Sequence, residues 1–141
     1  MKYVKFLIAF FFLAATHLAF ADLNDEDSGV YVILKRDGTS GDLFYRISKG
    51  LSGWQAEGRS SKDEWQSITC EQGCQYLSSS QVSIESWFPP DWRANNEIGC
   101  INNKANAFCR FSAKGEPGKV GYVMIALVTE VPTPMFFKRL R

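Results

Sequence analysis

From Gly29 onward the chain is built of short apolar runs separated by turn residues, and those connections are too short for anything but antiparallel pairing. "VYVILK" (30–35) leads into "RDGTSGD", and "LFYRIS" (43–48) into "KGLSG". "WQAEGR" and "EWQSITC" follow, with "SSKD" between them as a turn. A parallel crossover needs a dozen or more residues, so hairpins are expected. Further on, "AFCRFS" and "VGYVMIALV" have strand composition, and "MFFKRL" follows "VPTP", whose extended entry is compatible with an edge strand, because proline cannot donate to a central ladder. "VGYVMIALV" is apolar on both alternating sets and should be the most buried strand. Between the two halves, Ser78 with Gln81 has capping-box spacing and Pro89-Pro90 is a stop, which predicts a short helix over 79–87 with Val82, Ile84, Trp87 and Phe88 on its apolar face. "DWRANNE" reads as irregular. The expected fold is mainly β, an antiparallel sandwich or small barrel of about seven short strands with one short helix. Trp54 and Trp65 are expected in its core.

The first residues, "MKYVKFLIAFFFLAATHLAFA", carry Lys2 and Lys5 before an apolar run and end in Ala-Phe-Ala, the pattern of a signal peptide over 1–21. The run is shorter than the roughly 20 residues that span a bilayer, and acidic "DLNDED" follows it, so no stable membrane anchor is expected after cleavage. Cleavage would leave 141 less 21, or 120, residues. We expect residues 22–28 to be an acidic flexible N-terminus and 29–141 a single β-rich domain in the periplasm or outside the cell. Losing Lys2 and Lys5 takes the whole-chain charge from +1 to −1, which gives no general attraction to nucleic acid.

Export makes an even count of cysteines a disulfide framework, in which Cys70, Cys74, Cys100 and Cys109 allow three connectivities. The local pairs Cys70–Cys74 and Cys100–Cys109 are favoured, since "TCEQGCQ" resembles a tight hairpin; Cys70–Cys109 with Cys74–Cys100 is the rival. The spacings do not match the usual zinc pairs, and no metal or cofactor is expected.

The one histidine, His17, lies in the leader, so the remaining chain has no Ser-His or Cys-His nucleophile, no histidine metal ligand and no histidine acid–base catalyst. A carboxylate-dependent hydrolase survives on Asp63, Glu64, Glu71, Glu85, Asp91 and Glu97, but no spacing singles out a pair. Two stretches look suited to contact. "SWFPPDWRANN" offers Trp92 and Arg93, residue types enriched at interface hot spots. "CINNKANAFC" offers Asn102, Asn103, Lys104 and Asn106, read as a polar loop with a disulfide at its base. The favoured function is an exported binding domain with a protein partner, an inhibitor or immunity protein against a hydrolase. A carbohydrate or small-ligand binder is the alternative. In size and export the chain is similar to small β-rich inhibitors and immunity proteins of the bacterial periplasm, a likeness of architecture that carries no residues over.

Overall fold

The structure is a computed structural model, and it describes residues 22–68 and 74–141. A 3-10 turn, Asp25–Asp27, precedes β1 (Gly29–Leu34), β2 (Ser40–Gly50), β3 (Gly53–Ser60) and the two-residue β4 (Gln66–Ser67). After the two-residue β5 (Leu77–Ser78) come two short helices, α1 (Gln81–Trp87) and α2 (Pro90–Asn95). The chain ends with β6 (Asn96–Asn102), β7 (Asn106–Ala113), β8 (Val120–Ala126) and β9 (Thr133–Arg139). All strands join one sheet in the order β4-β3-β2-β1-β9-β8-β7-β6-β5, with every neighbour antiparallel. The sheet curls into a half-barrel, and an isolated bridge between Trp54 and Tyr76 ties β3 to the segment entering β5.

The mainly β, antiparallel architecture is the one expected, with nine strands among the described residues in place of about seven. The additions are β5 and β6, the latter formed by "NEIGCIN". "DWRAN" is helical and not irregular: Pro90 sits in the first turn of α2, where its missing N–H costs nothing. The α1 cap is Ser80, whose hydroxyl accepts from Ser83 N at 3.2 Å, while Ser78 belongs to β5. Val82 is 76 % exposed because it lies two residues, about 200° of helix, from the buried Ile84.

β9 is not an edge strand. It lies between β1 and β8, and Pro134 is accommodated because β1 pairs only with Phe137–Arg139, leaving Pro134 opposite Ile125 of β8 alone. β8 is the most buried strand for the expected reason, both of its faces being covered. Its inner face, Tyr122 and Met124, joins Tyr31, Ile47, Trp54, Tyr76, Ile101, Phe108 and Phe137 in the concave core. Its outer face, Val123 and Ile125, lies under Ile84 and Phe88 beside Cys100, Ala107 and Cys109. Gly121 makes room for this second layer, since a Cβ there would stand 2.3 Å from the Phe111 ring.

The acidic N-terminal segment, expected as a flexible tail, makes defined contacts with the sheet. Asn24 and Asp27 cap the 3-10 turn reciprocally, Leu23 packs on the concave core, and Asp27 is only 2 % exposed. Asp27 Oδ1 accepts from the Tyr122 hydroxyl at 2.9 Å and lies 3.4 Å from Arg110 Nε, and Asp27 O accepts from the Tyr31 hydroxyl at 2.5 Å. A carboxylate can be buried this deeply because a guanidinium and hydrogen-bond donors offset its desolvation.

Candidate functional site

The β6–β7 hairpin holds four of the six expected contact residues. Cys100 and Cys109 are direct cross-strand partners, and their disulfide joins the two strands in register. The expected bridged loop is therefore mostly strand, and the connection shrinks to 103–105. Cys74 is disulfide-bonded as well; Cys70, its expected partner, lies outside the described residues.

Asn103 is buried, and its side chain organises the turn. Oδ1 accepts from Ala105 N and Asn106 N, both at 2.9 Å, and Nδ2 donates to Cys74 O at 3.2 Å. This is the Asx chemistry that lets asparagine replace backbone partners in a turn. Asn102 Oδ1 accepts from the Ser79 hydroxyl at 2.7 Å, and Asn106 Oδ1 accepts from the Tyr76 hydroxyl. Burial pushes the Tyr76 hydroxyl up to about 12. The three amides thus brace the tip against Ser79, which precedes α1, and the 74–76 segment, and Lys104 is the exposed one of the four.

Segments bonded to this tip carry exposed apolar side chains, and sequence reasoning passed over them. Leu77 is the register partner of Asn102 and is 65 % exposed. Leu127 N donates to Ala105 O at 2.9 Å, which brings the β8–β9 loop alongside with Val128 and Val131 exposed. Thr129 and Thr133 hydroxyls donate to Val131 O at 2.6 and 3.0 Å and hold that loop in shape. Across the tip, Gln75 Nε2 donates to Ser52 O and ties down the β2–β3 turn that presents the fully exposed Leu51. A run such as "ALV" reads as strand core in sequence, so only the end of β8 at Ala126 reveals Val128 as surface.

Trp92 and Arg93 are elsewhere. Trp92 stacks on Phe88 with centroids 4.8 Å apart and meets Phe111 at 4.7 Å, half-buried over the outer core. Arg93 Nε donates to Phe88 O at 3.1 Å. Both precede the start of β6, whose seven residues separate them from the tip by about 20 Å. The two expected contact stretches therefore do not form one surface.

Trp65 departs from its expected core position. It is half-buried on the outer face of β2–β3, with the guanidinium carbons of Arg46 and Arg59 at 4.7 and 4.8 Å from its ring. Arg46 Nε donates to Glu57 Oε2 at 2.5 Å, and this bond holds the Glu57 carboxyl below its usual range. Among the described residues, no three His, Cys, Asp or Glu side chains are grouped to hold a metal ion, and no helix is long and apolar enough to cross a membrane. Comparison with protein-family models, curated proteins and solved structures yields no match.

Proposed function

We propose that this chain is an exported binding domain that engages a protein partner through the end of the half-barrel carrying the β6–β7 tip, in the manner of an inhibitor of a hydrolase. The observation that carries the reading is that exposed Leu77, Val128 and Val131 stand on segments bonded to the 102–105 tip, with exposed Leu51 on the turn that Gln75 ties to the same end. Exposed apolar groups contiguous on a surface mark interaction sites, and scattered ones do not. The side-chain hydrogen bonds of Asn103, Thr129 and Gln75 fix three chain segments before any partner arrives, which lowers the ordering cost of association. The Cys100–Cys109 disulfide is compatible with an oxidising, extracytoplasmic location.

A photocrosslinking side chain at position 104 or 128, introduced in the cells that make the protein, should capture one protein species, and one at position 62 should not. Against that purified species, Leu77→Asp with Val128→Asp should weaken binding at least tenfold, about 1.4 kcal/mol. Equal capture from position 62, or unchanged affinity in the double variant, would sink the proposal.

A further inference from the structure

The two helices pack over β6–β8, so the outer face of β9, β1, β2 and β3 lies beyond them. Tyr31, Tyr45 and Phe137 belong to the concave core, which turns the alternate residues Val32, Phe44 and Lys138 outward. Strand register sets these three and Arg59 in one row: Lys138 opposite Val32, Val32 opposite Phe44, Phe44 opposite Arg59. Trp65 closes the row, because it precedes the Gln66–Gly58 pair and so stands beside Arg59. The Arg59 guanidinium carbon is held between two rings, 5.6 Å from the centre of Phe44 and 4.8 Å from that of Trp65. Among the described residues this guanidinium makes no hydrogen bond or ion pair. Its Nε is buried without an acceptor, so the donors it can offer a ligand are the two terminal amino groups. At the other end of the row Lys138 is exposed, with no carboxylate at ion-pair distance among the described residues. The face also carries Arg46 and Glu57, which neutralise each other through their 2.5 Å bond, and Asp42 at its rim. Asp63 accepts from the Ser60 hydroxyl and, with Glu64, lines a small cavity on the concave side beside Tyr45 and Gln66. Three cations thus share the outer face with two carboxylates. The excess positive charge rests on Arg59 and Lys138, three strand spacings or about 14 Å apart.

We propose that this row binds a linear polysaccharide of uronic acids laid across the strands. A carboxylate is a planar acceptor that matches the paired amino groups of a guanidinium, and a second one further along the same chain meets the Lys138 ammonium. Between them the C–H faces of the sugar rings lie on Val32 and Phe44. Stacking between Phe44 and Trp65 holds Arg59 in place before any ligand arrives, which lowers the ordering cost of binding. An anionic lipid surface fits less well, because insertion needs protruding apolar groups, whereas in this row Val32 is 1 % exposed and Phe44 half-buried. None of these residues belongs to the tip surface, so the two sites stand or fall separately.

The test is calorimetric titration of the intact protein with a linear hexamer of galacturonic acid. Saturable one-to-one binding is expected, at least tenfold tighter than for the galacturonate monomer, which cannot reach both cations, and for neutral maltohexaose. Arg59→Ala with Lys138→Ala should raise the dissociation constant at least tenfold, and Leu77→Asp at the tip should leave it unchanged. Binding of maltohexaose as tight as that of the acidic hexamer, no binding of the hexamer, or an unchanged constant in the double variant would each overturn the site. So would equal or tighter binding of hexaglutamate, which would assign the row to an acidic protein segment, or of phosphatidylglycerol vesicles, which would assign it to a membrane. Should the double variant fail to fold, Lys138→Glu alone decides: a threefold or greater weakening supports the site, and an unchanged constant overturns it.

Discussion

One amide holds the turn between β6 and β7. Asn103 accepts from two backbone N–H groups of its own turn and donates to Cys74 O on another segment, so its removal orphans buried polar atoms in a way that loss of a surface lysine does not. Asn103→Ala should lower unfolding stability by about 2 kcal/mol, whereas Lys104→Ala should change it by about 0.5 kcal/mol or less. Urea unfolding of the two variants checks this, and equal midpoints would show that the turn does not depend on the amide. The asparagines of "INNKAN" were legible as turn or contact residues but not as which of the two. The choice depends on Cys74, Tyr76 and Ser79, which reach the tip only through the fold. Trp65 is a similar case. An indole is counted as core in a sequence, yet here two guanidinium groups from β2 and β3 shelter it on the surface.

The β6–β7 hairpin is the rigid element of the second layer. Its disulfide closes a nine-residue separation between strands that already pair, so most of its effect is on the unfolded chain. Cys100→Ser with Cys109→Ser should reduce stability by about 3 kcal/mol, read as a lower urea midpoint. A loss below about 1 kcal/mol would mean that the strands and α1 constrain the hairpin without the bridge. α2 bears on the same layer through Trp92, which covers Phe111 and Phe88. Trp92→Ala should destabilise the protein by about 2 kcal/mol, toward the low end for large aromatic truncations because the ring is half-buried. The same variant should leave partner affinity within twofold if the contact surface is the tip, and a tenfold loss would move that surface to α2.

Across the molecule, Tyr31, Tyr45, Tyr76 and Tyr122 are all held above their ordinary range, burial being the leading cause for each. An unfolded tyrosine loses its proton near pH 10, while these keep theirs when folded. Between those values the unfolded state binds fewer protons than the folded one, so stability falls as pH rises, by up to about 1.4 kcal/mol per pH unit for each tyrosine. Tyrosinate absorbance should therefore stay low in the folded protein past pH 10 and rise in one cooperative step with unfolding. A gradual rise near pH 10 with circular dichroism unchanged would contradict the packing. The N-terminal turn belongs to this same core. A chain beginning at Ser28 loses Asp27 and leaves Arg110 without its anion, and it should be less stable than one beginning at Asp22 by about 3 kcal/mol in urea. Equal stability would restore the flexible tail.

Alternating apolar runs and short turns were enough to predict an antiparallel β fold, because side-chain period and connection length are local properties of the chain. The doubly buried character of β8 was legible for the same reason. The central place of β9, the insertion of Asp27 and the exposure of Leu77, Val128 and Val131 on segments beside the tip were not. Each depends on which distant segments become neighbours: β9 is interior because β1 returns to pair with it, and Asp27 is buried because Arg110 and Tyr122, far along the chain, wait inside the curled sheet. A carboxylate, a proline or a valine has no fixed burial of its own, and its surroundings exist only once the sheet has closed around them.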